Sequence, residues 1–420
     1  MEPTKLLTIF VVLKICQIGT ERLLAYLNKS YINDPARASE AGKVLGIDES
    51  EMKKASLYSG DKYSFGMWSS LTSSFVTLGF IIWGGLTWVE SLAQPLGQIT
   101  GLGLIGEGLA FFMILGVLSG ILELPFDLYH TFVLEEKHGF NKQTLKGFFL
   151  DRVKSLAIGV ILGGAILGLI LGIMEGLPES WWFWAWLAMF GFNLVIAWLY
   201  PSLLAPIFNK FTPLEEGELK TKIFELARKV EFNADAISLM NASIRSSHGN
   251  AYFTGVFGKK KIVLFDTLVD SMLPDEIVAV LAHELGHFKL NHVRWMLVRS
   301  FFVTGLMFFG MSIMYQSDVL FQAFGLSSAT GYGALLVFSL WLSPLGFIFQ
   351  LFSNWLSRRN EYQADAFALA QVEDKRKLGD ALLKLRQKSH SMPITHPAFS
   401  AFYHSHPPML DRLKAMGYID

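Results

Sequence analysis

The chain has 420 residues, of which 52% are hydrophobic and 17% charged, and its 36 basic and 36 acidic side chains cancel. This balance gives no electrostatic sign of a nucleic-acid partner, and several apolar runs approach the roughly 20 residues that a helix needs to cross a bilayer. The only cysteine, Cys16, excludes an intrachain disulfide and a cysteine-based zinc cage. The composition therefore predicts an integral membrane protein.

Seven apolar runs predict transmembrane helices, near 6–27, 66–94, 104–130, 153–174, 180–206, 296–322 and 332–356. The first run is the weakest of the seven. It keeps Lys14, Glu21 and Arg22 and has no small-residue cleavage site, so we expect it to remain as a span rather than to act as a cleaved signal.

The charges of the connecting segments predict the orientation. Segments without Lys or Arg alternate with segments that contain many, and cytoplasmic loops collect these residues. The segments without Lys or Arg are 95–103, 175–179 and 323–331, and the segments rich in these residues are 28–65, 131–152, 207–295 and the C-terminal tail. We therefore expect an external or luminal N-terminus and a cytoplasmic C-terminus.

Segment 207–295 is long enough to fold by itself. Its residues 214–232 have helical spacing, with Pro213 suited to the helix start. Three β-like runs follow, and Gly258-Lys259 can form a hairpin between the last two; the runs are 236–240, 250–257 and 260–265. Pro274-Asp275-Glu276 then begins another helix, whose first turn favours acidic residues. The pattern predicts a small α/β element that leads into the sixth span.

The second helix of this element carries LAHELGH, the HExxH pattern. His283 and His287 are four residues apart and lie on one helical face, so both can bind one metal ion. Glu284 lies beside that face, where a carboxylate can act as general base toward a water whose pKa zinc lowers. Gly286 allows close approach at this point.

A catalytic zinc takes three protein ligands, so a third is expected on another helix. The segment RRNEYQADAFALA, 358–370, begins on the predicted cytoplasmic side and places Glu361 and Asp365 on one helical face. Glu361 can bind the metal, while Asp365 can brace a histidine from behind. The alternative is that these acids and Arg358-Arg359 form only a solvated helix end.

Three further histidines lie near these motifs in the sequence. His292 would lie away from the ligand face if the helix were continuous, and we interpret it as an interfacial or capping residue. His248 and His406 lie in polar loops, and taken singly each is a loop histidine rather than a catalytic group.

Together these motifs resemble the type 1 CAAX prenyl proteases, which are zinc-dependent membrane peptidases. The resemblance rests on five segments in the family's order: LEEKHGFNKQT at 134–144, SSHGNAYFTGVFGKKKIVLFDTL, HELGH, NEYQADAFA and SHPPMLDRL. It covers most of the chain and is weakest in the first span. Some eukaryotic members have a long insertion before HELGH that is missing here, which favours a compact or bacterial member.

The resemblance implies an all-α polytopic membrane protein. Seven long helices would form a barrel around a water-filled chamber, capped on the cytoplasmic side by the α/β metalloprotease element. The expected parts are helices one to five in 1–206, the HELGH element in 207–295, helices six and seven in 296–356, and the third ligand in 357–420. Ionisable residues in the spans would face the chamber or, alternatively, pair between helices; they are Lys14, Glu21, Arg22, Glu107, Glu123 and Asp127.

The resemblance also implies roles for individual residues. One zinc ion per chain would be held by His283, His287 and Glu361. The remaining expectations are Glu284 as catalytic base, His406 as oxyanion stabiliser, Asp365 and Arg412 as supporting groups, and Asn250, Ala251 and Tyr252 on a strand that holds the substrate.

The sequence thus predicts a zinc metalloendopeptidase that cleaves near the C-terminus of prenylated CAAX proteins or peptides. The expected partners are this substrate and the lipid bilayer, with no nucleic acid, and the expected membrane is the bacterial inner membrane or the endoplasmic reticulum. Two alternatives stay open. One is a broader membrane endopeptidase for protein quality control without a prenyl requirement, and the other is a transporter or channel with structural zinc.

Overall fold

The structure is a computed structural model that describes residues 2–254 and 260–419. Its first half is helical: α1 (Pro3–Ile32), α2 (Pro35–Leu45), α3 (Glu49–Ile82), α4 (Gly85–Thr100), α5 (Gly103–Tyr129), α6 (Leu145–Ile158), α7 (Gly164–Gly176), α8 (Trp181–Leu199) and α9 (Ala205–Phe208). Short π-helical turns follow α5 at His130–Glu135, connect α6 to α7 at Gly159–Gly163 and connect α8 to α9 at Tyr200–Leu204.

The second half contains a small sheet and further helices. In chain order they are β1 (Phe211–Pro213), α10 (Glu218–Lys229), β2 (Ala234–Met240), β3 (Ala251–Thr254), β4 (Lys260–Phe265), α11 (Asp266–Val269), α12 (Pro274–Lys289), α13 (His292–Met314), α14 (Asp318–Ala323), α15 (Gly331–Gln371), α16 (Arg376–Lys388), α17 (Pro397–Tyr403) and α18 (Met409–Ala415). A 3₁₀ turn, Ala242–Ile244, follows β2.

Six helical stretches among the described residues are long and apolar enough to cross a membrane. They are Glu49–Ile82, Gly103–Glu135, Leu145–Gly176, Trp181–Phe208, His292–Met314 and Gly331–Gln371. The first predicted span, 6–27, lies within the helix α1, which is not one of these six. Several membrane-length apolar helices make the chain a multi-pass membrane protein.

Two predicted spans have other boundaries in the structure. The run 66–94 is interrupted, because α3 ends at Ile82 and Gly84 adopts the left-handed conformation at φ 79° before α4 begins. The run 296–322 is likewise divided between α13 and α14. Hydropathy averages composition along a window, so the left-handed Gly84 ends a helix with little effect on that average.

The last span is longer than predicted. The helix α15 continues from the predicted span 332–356 through the segment that holds Glu361 and ends at Gln371. The membrane span and the candidate third ligand therefore share one continuous helix.

The sheet has the strand order β1-β2-β4-β3. The central strands β2 and β4 are parallel, and β1 and β3 pair antiparallel with them at the two edges. The expected start of a helix at Pro213 is wrong: Pro213 ends the edge strand β1, where a residue without an N–H is tolerated, and α10 begins at Glu218. The predicted turn at Gly258-Lys259 lies outside the described residues.

Buried apolar residues form two main cores. One packs the sheet against α10, α12, α16 and α18 and includes Ile262, Leu281 and Leu413. In the other core, the ends of the membrane helices that do not contact the sheet pack around Phe111 and Tyr332. In the most apolar stretch of each membrane-length helix, at most 22% of the residues are buried. These stretches therefore make few contacts with other parts of the protein.

Several charged residues in the spans have partners on neighbouring helices. Lys14 in α1 donates to the Ser343 hydroxyl in α15 at 2.6 Å, and Arg22 donates to Ser70 in α3 at 3.0 Å. Asp127 forms an ion pair with Arg152 of α6. These three follow the alternative of pairing between helices, whereas Glu123 is exposed.

Candidate metal centre

The helix α12 presents the His pair and starts at a well-defined point. Pro274 occupies its first turn, where a missing N–H costs nothing. The Glu276 carboxylate accepts a hydrogen bond from the Leu273 N–H at 2.8 Å and forms an ion pair with Lys384 of α16 at 2.7 Å. The helix is thus fixed at its N-terminus against the core before the chain reaches His283.

The structure brings His283, His287 and Glu361 together. One ligand atom from each lies within 4.8 Å of the others. The two Nε2 atoms are 3.3 Å apart; Glu361 Oε2 lies 3.4 Å from His283 Nε2, and Glu361 Oε1 lies 3.2 Å from His287 Nε2. His283 and Glu361 are buried, and His287 is partly exposed.

This spacing fits a tetrahedral zinc ion. Ligand atoms about 2.0 to 2.1 Å from such an ion lie about 3.3 to 3.4 Å from one another, close to the separations observed here. Two imidazole nitrogens and one carboxylate are also the ligand set of catalytic zinc sites that leave a fourth position open. In addition, Glu361 Oε2 is buried and makes no hydrogen bond of acceptable geometry, although His406 Nδ1 lies 2.7 Å away. A metal would satisfy this oxygen.

Asp365 and Arg412 support the cluster from behind. The Asp365 carboxylate lies 2.8 Å from His283 Nδ1, which leaves His283 Nε2 free to face the cluster. Arg412 donates to both Asp365 oxygens, at 2.9 and 2.6 Å. Burial lowers the pKa of His283, but hydrogen bonds to Asp365 and Glu361 outweigh this and raise it to about 9. A bound metal must displace that proton.

Glu284 has the environment expected of a proton acceptor. Its side chain is half-buried. Burial raises the pKa of its carboxyl above the usual range, while the neighbouring His283 and His287 act to lower it. A carboxylate whose pKa is raised toward neutrality can take a proton and release it again.

A glycine permits the contact between α12 and α15. A Cβ on Gly286 would lie 3.1 Å from the Ala364 Cα and 3.2 Å from its carbonyl oxygen. Because these are backbone atoms, they cannot move aside as a flexible side chain can. Gly286 therefore sets the distance between the helix with the His pair and the helix with Glu361.

His406 reaches the cluster from the C-terminal tail. Arg358 of α15 holds this tail, donating to the carbonyl oxygens of Ser400 at 2.9 Å and His404 at 2.7 Å. Arg358 therefore binds the backbone of the C-terminal tail and is not part of a solvated helix end. The His406 side chain is 63% exposed and faces a cavity of about 580 Å³.

The same cavity reaches the edge strand β3. Asn250 precedes this strand, is exposed and lines the cavity with His406. Ala251 is buried and pairs with Leu264, while Tyr252 is partly buried and pairs with Val263. Since β4 occupies one side of β3, the other side is a free sheet edge within the described residues.

The structure also shows contacts that the sequence analysis missed. The helix does not continue past Leu290, because Asn291 adopts φ 59° and α13 begins at His292. His292 Nδ1 therefore lies 3.0 Å from His287 Nδ1, and its Nε2 lies 3.0 Å from Gln363 Oε1. His292 is a neighbour of the cluster rather than a remote residue, and spacing on one continuous helix could not reveal this.

The family-like segment 134–144 contacts the approach to β3. Asn141 forms a β-bridge with Ser246, and the Phe140 ring stacks on His248 at 4.6 Å. Arg245 binds both Asp151 carboxylate oxygens, at 2.8 and 3.1 Å. Membrane helix α6 is thereby tied to the residues that lead into β3.

Comparison with known proteins gives a consistent result over both halves of the chain. Residues 38–210 match the family described as CAAX prenyl protease N-terminal, five membrane helices, and residues 213–420 match peptidase family M48. The crystal structure of S. mikatae Ste24p superposes with a TM-score of 0.91 at 34% identity, covering 98% of this chain and 99% of that chain.

Curated relatives share most of their length with this chain. The CAAX prenyl protease 1 homolog of Arabidopsis thaliana is 38% identical over 88% of this chain and 88% of its own length. The Homo sapiens homolog is 34% identical over 90% and 88%, and CAAX prenyl protease 1 of Saccharomyces cerevisiae is 36% identical over 89% and 87%.

Proposed function

The chain belongs to the CAAX prenyl protease 1 family of M48 peptidases, and from this premise we propose that zinc bound by His283, His287 and Glu361 supports cleavage near the C-terminus of prenylated CAAX proteins. The observation that carries the proposal is the spacing of these three side chains, 3.2 to 3.4 Å between ligand atoms. It matches one tetrahedral ion with an open position.

Family membership confirms the resemblance found in the motifs. The protein is a multi-pass membrane metallopeptidase that acts on CAAX proteins. A transporter or channel with a structural zinc is thereby set aside.

The reaction needs a proton acceptor and a positioned substrate. When bound, zinc supplies polarisation of the scissile carbonyl and a lower pKa for the attacking water. Glu284 accepts the proton of that water and gives it to the leaving amine. His406, at the mouth of the cluster, donates to the carbonyl oxygen as negative charge develops there. Asp365 and Arg412 keep His283 oriented toward the ion.

The free edge of β3 is the proposed substrate site. A peptide in extended conformation would add to this edge through backbone hydrogen bonds. The Asn250 side chain, exposed at the beginning of the strand, is available to the peptide amides. The shared cavity with His406 supports this placement beside the metal centre.

The membrane half supports a chamber. The low burial in the most apolar stretch of every membrane-length helix agrees with helices that surround a water-filled space rather than form a solid bundle. In the proposed orientation, with the N-terminus luminal in the endoplasmic reticulum or external to the bacterial inner membrane, the metal centre lies on the cytoplasmic side. A lipid-anchored substrate can then reach it without leaving the bilayer.

The decisive test is Glu284→Gln in the full-length protein. We expect cleavage of a farnesylated CAAX peptide to fall by roughly 10²- to 10⁴-fold, because a general base is removed, while the zinc content stays at one per chain. The matched control is Glu225→Gln on the exposed face of α10, which should retain activity. Retained cleavage by the Glu284 variant would contradict the assignment.

The same peptide without its lipid tests the broader alternative. Efficient cleavage of the unprenylated peptide would indicate a general membrane endopeptidase. Cleavage that requires the prenyl group would support CAAX processing as the specific function.

A further inference from the structure

The cavity beside β3 has a cationic wall that the proposed mechanism does not use. The end of α16 and the following segment contribute Arg386, Lys388, Ser389 and Ser391 to its lining. Among the described residues that line it, none is an aspartate or a glutamate. The chain has equal numbers of acidic and basic residues, so a cavity of this size with cations alone is a local departure from the average.

Arg386 belongs to the buried structure of this wall. It is only 3% exposed, donates to the Ser391 carbonyl oxygen at 3.3 Å and faces Glu51 at 3.3 Å. Its Nε is buried and has no hydrogen-bond partner. Glu51 offsets much of the charge of Arg386, so the net positive charge of the wall rests on its neighbour.

That neighbour is Lys388. Its side chain is exposed on the cavity, and it forms no ion pair within residues 2–254 and 260–419. A lysine at the end of a helix also interacts favourably with the helix dipole, which is worth only about 0.3 to 1 kcal/mol. The ammonium group remains free to bind an anion.

The direction of the sheet edge indicates which part of a substrate meets this wall. In antiparallel pairing, the C-terminal end of the added strand lies beside the N-terminal end of its partner. The edge strand β3 begins at Ala251, and Asn250 just before it opens into the cavity. A peptide that adds antiparallel to β3 therefore directs its C-terminus into the cavity that holds Lys388.

We propose that this cavity binds the free C-terminal carboxylate of the substrate, with Lys388 as its principal cation. The inference rests on the proposed function and names the feature of the substrate that is recognised. It would also set the distance between the substrate C-terminus and the peptide bond that is cleaved. Each extended residue spans about 3.4 Å, so a carboxylate fixed at Lys388 determines which peptide bond reaches the metal centre.

The test compares two farnesylated peptides that differ only at the C-terminus, one with a free acid and one with an amide, which removes the charge. We expect the full-length enzyme to cleave the acid with the higher kcat/KM. Lys388→Gln should reduce the ratio of acid to amide by roughly 3- to 10-fold, the range for an exposed to partly buried ion pair. Lys388→Arg should restore most of the ratio.

Lys375→Gln is the matched control. It removes the same charge at the opposite end of α16, outside the cavity lining, and should leave the ratio unchanged. A merely structural role of Lys388 would lower the cleavage of both peptides equally and would contradict the inference.

The outcomes separate the inference from the proposed function. If the unaltered enzyme cleaves acid and amide equally well, the carboxylate site is wrong and the protease assignment stands. If it cleaves neither peptide, the proposed function itself fails.

Discussion

At the scale of single residues, the candidate metal centre depends on the side chains that orient His283 as much as on the candidate metal-binding side chains themselves. Asp365 fixes His283 through Nδ1 at 2.8 Å and is itself held by two hydrogen bonds from Arg412. The buried Asp365–Arg412 pair also places a positive charge 3.7 Å from Glu361. Orientation of the imidazole and the charge of the carboxylate thus depend on one pair of side chains.

Asp365→Asn should weaken metal binding without abolishing it. The amide keeps the size of the side chain but loses the charge that orients His283, and such partners typically contribute 10- to 100-fold to metal affinity. We expect the zinc dissociation constant, measured by competition with a chelator, to rise within this range. Glu373→Gln, exposed two residues after α15, is the control and should leave the constant unchanged. An unaltered constant for the Asp365 variant would show that Arg412 alone orients the site.

At the scale of elements, the site depends on the distance between α12 and α15. Gly286 lies against the backbone of Ala364, three residues from Glu361. Any side chain at position 286 must push the two helices apart, and overpacking of this kind costs about 1 to 3 kcal/mol.

Gly286→Ala should therefore separate the His pair from Glu361. We expect a lower thermal unfolding temperature and a weaker affinity for zinc, both measured on the purified protein in detergent. Gly346→Ala, also in α15, is the control because a Cβ there meets no atom within 4 Å. If only stability falls and zinc affinity does not, the helices accommodate the methyl group without changing the site.

A second contact between elements holds the residues that lead into β3, the proposed substrate strand. Arg245 binds Asp151 of α6 and the Phe208 carbonyl oxygen, at 2.6 Å for the latter. Asp151→Asn should loosen the residues that lead into β3 and raise the KM of the peptide roughly tenfold, as expected for a lost charge-assisted pair. The zinc content and kcat should change little. Glu215→Gln, an exposed site before α10, serves as control. An equal fall in kcat would place the effect in the metal centre instead.

The sequence predicts local features well and contacts between distant elements poorly. The two histidines share a helical face because of their spacing, and Pro274 marks the start of their helix, so neither needs the rest of the fold. The pairing of Arg245 with Asp151, 94 residues away, depends on how a loop packs on a membrane helix. The turn at Asn291 and the break at Gly84 were missed for a related reason: apolar periodicity records composition, and a single left-handed residue interrupts a helix without altering it.

At the scale of the whole molecule, the spans join an apolar core at one end to the catalytic core at the other. The helix α15 belongs to both, since it contributes Tyr332 to the apolar core and Ala368 to the core that packs around the sheet. A membrane span therefore delivers Glu361 directly to the His pair. One continuous helix thus contains both a membrane-length apolar stretch and the candidate ligand Glu361.

This arrangement makes the orientation of the loops testable. Between Glu179 and Lys375 the chain passes through three membrane-length helices, Trp181–Phe208, His292–Met314 and Gly331–Gln371. An odd number of crossings would place the two residues on opposite sides, and the Lys and Arg content of the loops predicts that Lys375 lies on the cytoplasmic side. In a Cys16→Ser background, Lys375→Cys should react with a membrane-impermeant maleimide in sealed vesicles whose cytoplasmic face is outward. Glu179→Cys should react only after detergent is added. Labelling of both before detergent would mean an even number of crossings and would place the loop at 175–179 on the same side as the metal centre. Labelling of Glu179→Cys alone before detergent would mean that the whole protein has the opposite orientation in the membrane.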